Sequence, residues 1–372
     1  MRKVFSIKTA LVVALILSCV GLWFIPQPPP LAVQEGRALR AKVIETDESK
    51  LEEVGLLKYG SQMIKAEILN GPKKGQVFSA VNDLRSQMEI DKIFKPGDTA
   101  VVIVKDEDKP ETSTIVARDH WRLGWAGVLL FCFCVLLCWF GGWTGFKALL
   151  SFVFSCLVIW KGVIPLALYG WTASWVCFFA VCVLTFVIMY LVAGPTRKGL
   201  AAFLGSTIGI FAGLVLAHLF GWLMNINGAT MPYVQTLLFS GYEKLDLQDV
   251  FIGAMILASS GAVMDLAIDI ASGIEEVVRH NSKLKPKELF YSGIRIGRSV
   301  VGTMTTTLLL AYSGGYITML MMFSAQGTSP IDFLNSTIVS AEVVKTLIGS
   351  FTLVLVAPFT ALVSSHLLCE NK

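Results

Sequence analysis

Apolar residues in this chain fall into blocks that have the length of a membrane crossing. The runs cover about 9–25, 124–141, 147–169, 172–193, 200–223, 250–271, 299–323 and 343–368. A helix needs about 20 apolar residues to span the hydrocarbon of a bilayer, so the pattern predicts eight spans. Between the first and second runs the period changes to two. "GRALRAKVIET", "GSQMIKAEILNG", "GQVFSAV", "DTAVVIVKD" and "TSTIVARD" alternate with β-branched residues, and "NGPKKG", "NDLRSQ", "FKPGD" and "DEDKPE" separate them as turns. Five short strands in that stretch predict a small all-β barrel or sandwich, OB-like in size. The expected fold is an α-helical polytopic membrane protein with this β-domain between spans one and two. Its parts are a membrane anchor at 1–27, a β-domain at 28–121 and a seven-helix membrane domain at 122–372.

Composition agrees with that division. The chain is 54% hydrophobic and 16% charged, against about 25% charged in a soluble domain. A net charge of +4 gives a nucleic-acid partner nothing to rest on. The placing of the basic residues carries more information. Arg2, Lys3 and Lys8 precede the first run, Arg197 and Lys198 sit in "GPTRKG", and Arg279, Lys283, Lys285, Lys287, Arg295 and Arg298 follow the sixth. These segments alternate so as to share one side, and the loops opposite are nearly free of Lys and Arg. The positive-inside rule puts both termini in the cytoplasm and 28–121 outside the cell membrane. The first run lacks an A-x-A cleavage site, so it reads as an uncleaved span rather than a signal peptide, and "PQPPP" gives it a stiff exit. Of eight cysteines, seven lie inside apolar runs and none between 30 and 121. That stretch therefore holds no disulfide framework, and Cys134 and Cys138, on one helix face, read as small hydrophobes rather than metal ligands. No cofactor or metal is expected.

The chemistry to explain is "GAVMDLAIDI", where Asp265 and Asp269 lie one helical turn apart. Counting 1.5 Å per residue from an outer entry near Val250 puts Asp265 about 22 Å into the membrane, with Asp269 close to the inner surface. Ala254, Ala258, Gly261, Ala262, Asp265, Asp269 and Ser272 fall on one helix side, opposite Ile252, Met255, Ile256 and Ile270. Small residues admit a close neighbour, so the carboxylates are expected to face the bundle interior. The span carrying Ala201, Gly205, Gly209, Gly213, Ala217 and Gly221 is the expected neighbour, its stripe reading as tight packing. The next span after the aspartates offers Gly302, Thr303, Thr306, Thr307, Leu310, Ser313 and Gly314 on one face, with Arg298 at its mouth. Thr hydroxyls can simply bond their own helix, and Arg298 can form a structural ion pair with either aspartate. His218 reads as an interfacial histidine, and Glu342 with Lys345 as an i, i+3 pair snorkelling at the outer surface. Pro358 should bend its helix.

"GAVMDLAIDIASGIEEV", "GIRIGRSVVGTMTTTLLLAYSGG" and "AEVVKTLIGSFTLVLVAPFTALV", with "GPTRKGLAAFLGSTIGIFAG", resemble the hallmark segments of the YibE/F-like membrane proteins. The resemblance covers roughly 30–368, and the β-domain makes the chain similar to the longer, YibE-like type. It implies a bacterial multi-pass membrane protein and carries over no active site. Three function classes remain. In a transporter or permease, Asp265 and Asp269 mark an ion or proton pathway, with Thr303 and Thr307 as oxygen donors and Arg298 as the competing cation. In a scaffold or assembly factor, the β-domain binds a partner and the aspartates are structural. An intramembrane enzyme is disfavoured, because "GxGD" is absent and nothing places a histidine near Ser313. The partners expected are the lipid bilayer and, within it, a second copy or a shorter YibF-like protein.

Overall fold

The computed structural model describes residues 2–27, 36–55, 57–86, 90–104, 115–281 and 283–369. Residues 28–30 of the expected "PQPPP" exit and all of the "DEDKPE" turn lie outside the described residues, as do the side chains of Arg2, Lys3 and Lys8. Two compact units divide the chain: Ala32–Leu136, and Met1–Leu31 together with Leu137–Lys372.

The smaller unit is built on strands β1 (Arg37–Asp47), β2 (Leu51–Val54), β3 (Leu57–Ile68), β4 (Val77–Arg85), β5 (Thr99–Val104) and β6 (Ile115–His120). β1 pairs antiparallel with both β3 and β5, so the order β1-β5-β6-β4-β3 returns to β1 and closes a barrel. Closure runs through one parallel contact, Val81 against Val116. β2, an acid-rich strand missing from the sequence reading, extends β3 as a hairpin. Every second residue points inward, as β5's strict alternation shows, and Leu39, Ala41, Val43, Ile64, Ala66, Ile68, Val102 and Ala117 fill the interior.

Phe94 is fully buried and packs into this interior. Gln62, also fully buried, holds Phe94 by both its backbone groups: Nε2 donates to Phe94 O at 2.8 Å, and Phe94 N donates to Oε1 at 3.0 Å. Asn82 donates to Gln62 Oε1 and to Lys92 O. At the barrel's last strand, burial pushes the Asp119 carboxyl up. The bond from Arg122 at 2.9 Å and the His120 N–H outweigh it, holding Asp119 below the ordinary carboxylate value.

The helices are α1 (Arg2–Trp23), α2 (Leu123–Leu157), a π-helical turn (Val158–Val163) running into α3 (Ile164–Leu168), α4 (Ala173–Ala193), α5 (Arg197–Leu223), short α6 (Val234–Phe239), α7 (Leu247–His280), α8 (Pro286–Ala325), short α9 (Pro330–Asn335) and α10 (Thr337–Cys369). Among the described residues, six helical segments are long and apolar enough to cross a membrane, and α1 adds a shorter apolar helix. The chain is thus a multi-pass membrane protein.

The segment Leu123–Leu168 counts as one of those six, yet it is not straight. Gly142 adopts φ 51°, ψ −129°, a conformation that only glycine takes without strain. A Cβ placed on Gly145 would lie 3.0 Å from the Leu137 carbonyl carbon, although residues eight apart in a straight helix stand about 12 Å apart. The chain therefore turns sharply where the sequence reading placed the loop 142–146. α8 has a milder break at Tyr316, just after the Gly314–Gly315 pair.

Within the larger unit the core lies among α4, α5, α7, α8 and α10. α5 lays its glycine stripe on α10. A Cβ at Gly205 would meet Thr360 Cα at 2.5 Å, one at Gly209 would meet Val356 Cα at 2.9 Å, and one at Gly213 would meet Thr352 Cγ2 at 2.9 Å. The two backbones approach closely because those side chains are absent.

Candidate functional site

The candidate site sits on α7, whose ends can be fixed. At its start, Asp246 caps the helix by accepting from Asp249 N. Near its end, Glu275 pairs with Lys198 of α5 at 2.9 Å. Asp265 lies sixteen residues beyond Asp249 and ten before Glu275, so about 24 Å and about 15 Å along the helix from those markers. This is within the apolar part of the helix. Asp269 is one turn nearer the Lys198 end.

The orientation of these acids corrects the sequence reading. Ile252, Met255, Ile256 and Ile270 point into the bundle and are fully buried, whereas Ala254, Ala258, Gly261, Asp265 and Asp269 are exposed on the opposite side. The reason is volume: the bundle interior fills with the large aliphatic side, leaving the small and polar side outward. Asp265 and Asp269 consequently face away from the core of this chain. A Cβ on Gly261 would meet nothing within 4 Å, so Gly261 makes no packing contact of the kind that Gly205, Gly209 and Gly213 make. The glycine stripe of α5 is occupied by α10 and does not meet the small face of α7.

α8 runs back alongside α7. Gly293 lies against Ile274, Gly297 against Ile270, and Gly273 against Ile296, which sets the register of the pair. Arg298 therefore lies level with Asp269, and Gly302 level with Asp265. No ion pair joins Arg298 to either aspartate among the described residues, and all three are exposed. Thr303 and Thr307 are exposed too, their hydroxyls donating to Val300 O at 2.9 Å and Thr303 O at 3.0 Å of their own helix. Their oxygen lone pairs remain free to accept. Ser313 likewise donates to Leu310 O.

A family model described as YibE/F-like protein matches residues 129–370, and a second, described as YibE/F family N-terminal domain, matches 37–117. The chain belongs to the YibE/F-like family. No curated protein and no solved structure matches it.

In this YibE/F-like chain a second polar group, absent from the sequence reading, lies at the opposite end of the bundle. Asp249, 7% exposed, accepts from the backbone N–H of Ser174 at 3.0 Å. Ser174 is in the first turn of α4, whose own N-cap Thr172 makes no side-chain bond. Asp249 thus caps α4 from α7, its charge placed at the positive end of that helix. Ser174 Oγ meets His218 Nε2 at 3.2 Å, so His218 has a partner. The carboxylate reaches the serine backbone, not the imidazole, and Ser174 is fully buried; an acid–base–nucleophile relay is not assembled. The signal available beforehand was Asp246 and Asp249 at capping spacing before an apolar run. Their reach to α4 is a tertiary contact, which spacing does not encode.

Glu342 and Lys345 of α10 pair at 2.8 Å, half-buried, with the ammonium 5.5 Å from the Tyr312 ring centroid. The Tyr312 hydroxyl and the Thr346 hydroxyl are buried there without a hydrogen-bond partner. Among the described residues no group of three or more His, Cys, Asp and Glu side chains could hold a metal ion.

Proposed function

We propose that this protein is a permease-type membrane protein in which Asp265 is the ion- or proton-binding carboxylate. The observation that carries the reading is the position of that acid: deep in an apolar helix, beside small residues, with no hydrogen bond or ion pair among the described residues. An ionisable group in such a place is costly, by about 2.5–3.5 kcal/mol on insertion scales, and is retained where it serves conduction or coupling. Thr303 and Thr307, near its level on α8, offer oxygen lone pairs. Asp269 and Arg298 stand at the mouth, where Arg298 competes with the bound cation. On this reading the chain crosses eight times, the sharp turn at Gly142 dividing the second crossing from the third, and the basic residues of 197–198 and 279–298 support cytoplasmic termini with the barrel outside. The strand order of the closed barrel, with its single parallel pairing, supports an OB-like identity. On this reading the activity is non-enzymatic.

The test is flux. Proteoliposomes holding the purified chain and dyes for protons, sodium or potassium should dissipate an imposed gradient faster than empty vesicles. Asp265→Asn should abolish the excess while retaining the wild-type unfolding temperature. A mutant that conducts like wild type overturns the assignment.

A second reading rests on the barrel. A cavity of about 310 Å³ is lined by Leu57, Lys58, Leu84, Ser86, Asp91, Lys92 and Ile93, and mixed charge around an apolar floor suits a peptide partner. On that reading the protein is a non-enzymatic scaffold or assembly factor. Substitution at Leu84 would then abolish partner capture while Asp265→Asn would not.

A further inference from the structure

The α7/α8 pair turns its polar and small residues away from its own bundle. Gly261 and Gly302 face open space, and Asp265, Asp269, Arg298 and Thr303 are exposed. Between Arg298 and Leu310 only Leu308 of α8 is buried. Lipid tails gain nothing from small residues, and a carboxylate facing hydrocarbon is costly. This face is built to meet protein.

Its charges say which protein. Packing of Gly297 on Ile270 and of Gly293 on Ile274 sets Arg298 and Asp269 at one depth on neighbouring helices, yet the two do not pair within the chain. A two-fold axis along the membrane normal preserves depth, so residues that meet across it must start level, and residue i meets j while j meets i. A face that carries one cation and one anion at the same level is therefore its own complement.

We propose that this face is the interface of a homodimer in the membrane. Arg298 of each copy pairs with Asp269 of the other, and the small residues at 254, 258, 261 and 302 let the helices approach. Asp265 is enclosed one turn deeper. The proposal rests on the placing of Asp265 that the permease reading also uses, and it supplies that carboxylate with protein surroundings.

Subunit counting by single-molecule photobleaching, on the full chain diluted in lipid vesicles, tests it. Wild type is expected in pairs. Asp269→Arg alone and Arg298→Asp alone each set like charges against each other, and each should weaken pairing by about tenfold or more. Mixing the two variants should restore pairs containing one of each, since every contact then joins opposite charges. Should either variant lose its fold, Gly261→Leu is read instead: it touches nothing in its own chain and is expected to lower the paired fraction. Wild type counted singly at every dilution, or folded variants that fail to pair when mixed, overturns the proposal and assigns the face to a different protein. Flux that survives Asp265→Asn refutes the permease reading and leaves the subunit count unchanged, so the two can fail separately.

Discussion

Adding one methyl group to the middle of the α5 stripe tests how the bundle is held. In Gly209→Ala the new Cβ would lie 2.9 Å from Val356 Cα, whereas carbon atoms rest at about 3.5–4.0 Å. The Val356 Cγ2 methyl lies nearer still, and behind it the Cα is backbone that no rotamer moves, so the helices must separate by the better part of an ångström. Separation also loosens the contacts at Gly205 and Gly213 on the same seam. Overpacking of this kind costs about 1–3 kcal/mol, against which alanine returns about 0.8–1.0 kcal/mol of helix propensity. A contact this close on backbone puts the cost at the upper end, about 2–3 kcal/mol, which leaves a net loss of about 1–2 kcal/mol. With about 2–4 °C per kcal/mol in a domain of this size, unfolding in detergent should fall by about 2–8 °C. The second and third substitutions on the stripe should cost less than the first, because the seam is already open. Val356→Ala added to Gly209→Ala should recover part of the loss by removing the nearest side chain. Gly261→Ala is the control within a single chain: nothing lies within 4 Å, so it should be neutral or slightly stabilising in dilute detergent. If Gly209→Ala unfolds at the wild-type temperature, the close approach of α5 to α10 is wrong.

Three further outcomes follow from other contacts. Asp249→Ala removes a charge-assisted bond to the start of α4 and should cost about 1.5–3 kcal/mol; Asp249→Asn, which keeps an acceptor, should cost less, both read as unfolding temperatures. Phe94→Ala empties part of the barrel core and should cost about 3–5 kcal/mol, seen as faster hydrogen exchange in β1 and β3 with α5 and α10 unaffected. The carboxyl of Asp119 is held below its ordinary value, so its contribution is complete above the unfolded value near 3.8 and is lost as pH falls through the lower, folded one. With the Asp119–Arg122 pair half-exposed, that contribution stays below about 1 kcal/mol. Between pH 4 and pH 2 the barrel of wild type should lose slightly more stability than that of Asp119→Asn, and equal slopes would dissociate Arg122 from the effect.

Legibility in the sequence followed the range of the interaction. Apolar blocks and the period-two stretch are local, and they located the helices and most strands. β2 escaped because "LEEV" carries acids where a buried strand would alternate, and it pairs only at the barrel's rim. The stripe from Ala201 to Gly221 announced a close neighbour, but which helix supplied it depended on Thr352, Val356 and Thr360 having matching spacing on α10. The outward turn of Asp265 was hidden for a related reason. Helical periodicity separates two sides of α7 and does not say which one the core takes; the bulk of Ile252, Met255, Ile256 and Ile270 decided it. Asp249 and Ser174 are 75 positions apart, and no pattern along the chain joins them.

The central claim is that Asp265 binds a cation or a proton. Thermal unfolding of purified wild type and Asp265→Asn across pH and a panel of monovalent and divalent cations tests it most directly. A ligand at about 100 times its dissociation constant stabilises by about 2.7 kcal/mol, and wild type alone should show that rise. If neither protein responds to any cation or to pH while Asp265→Asn is simply less stable, Asp265 is a structural group and the claim is contradicted.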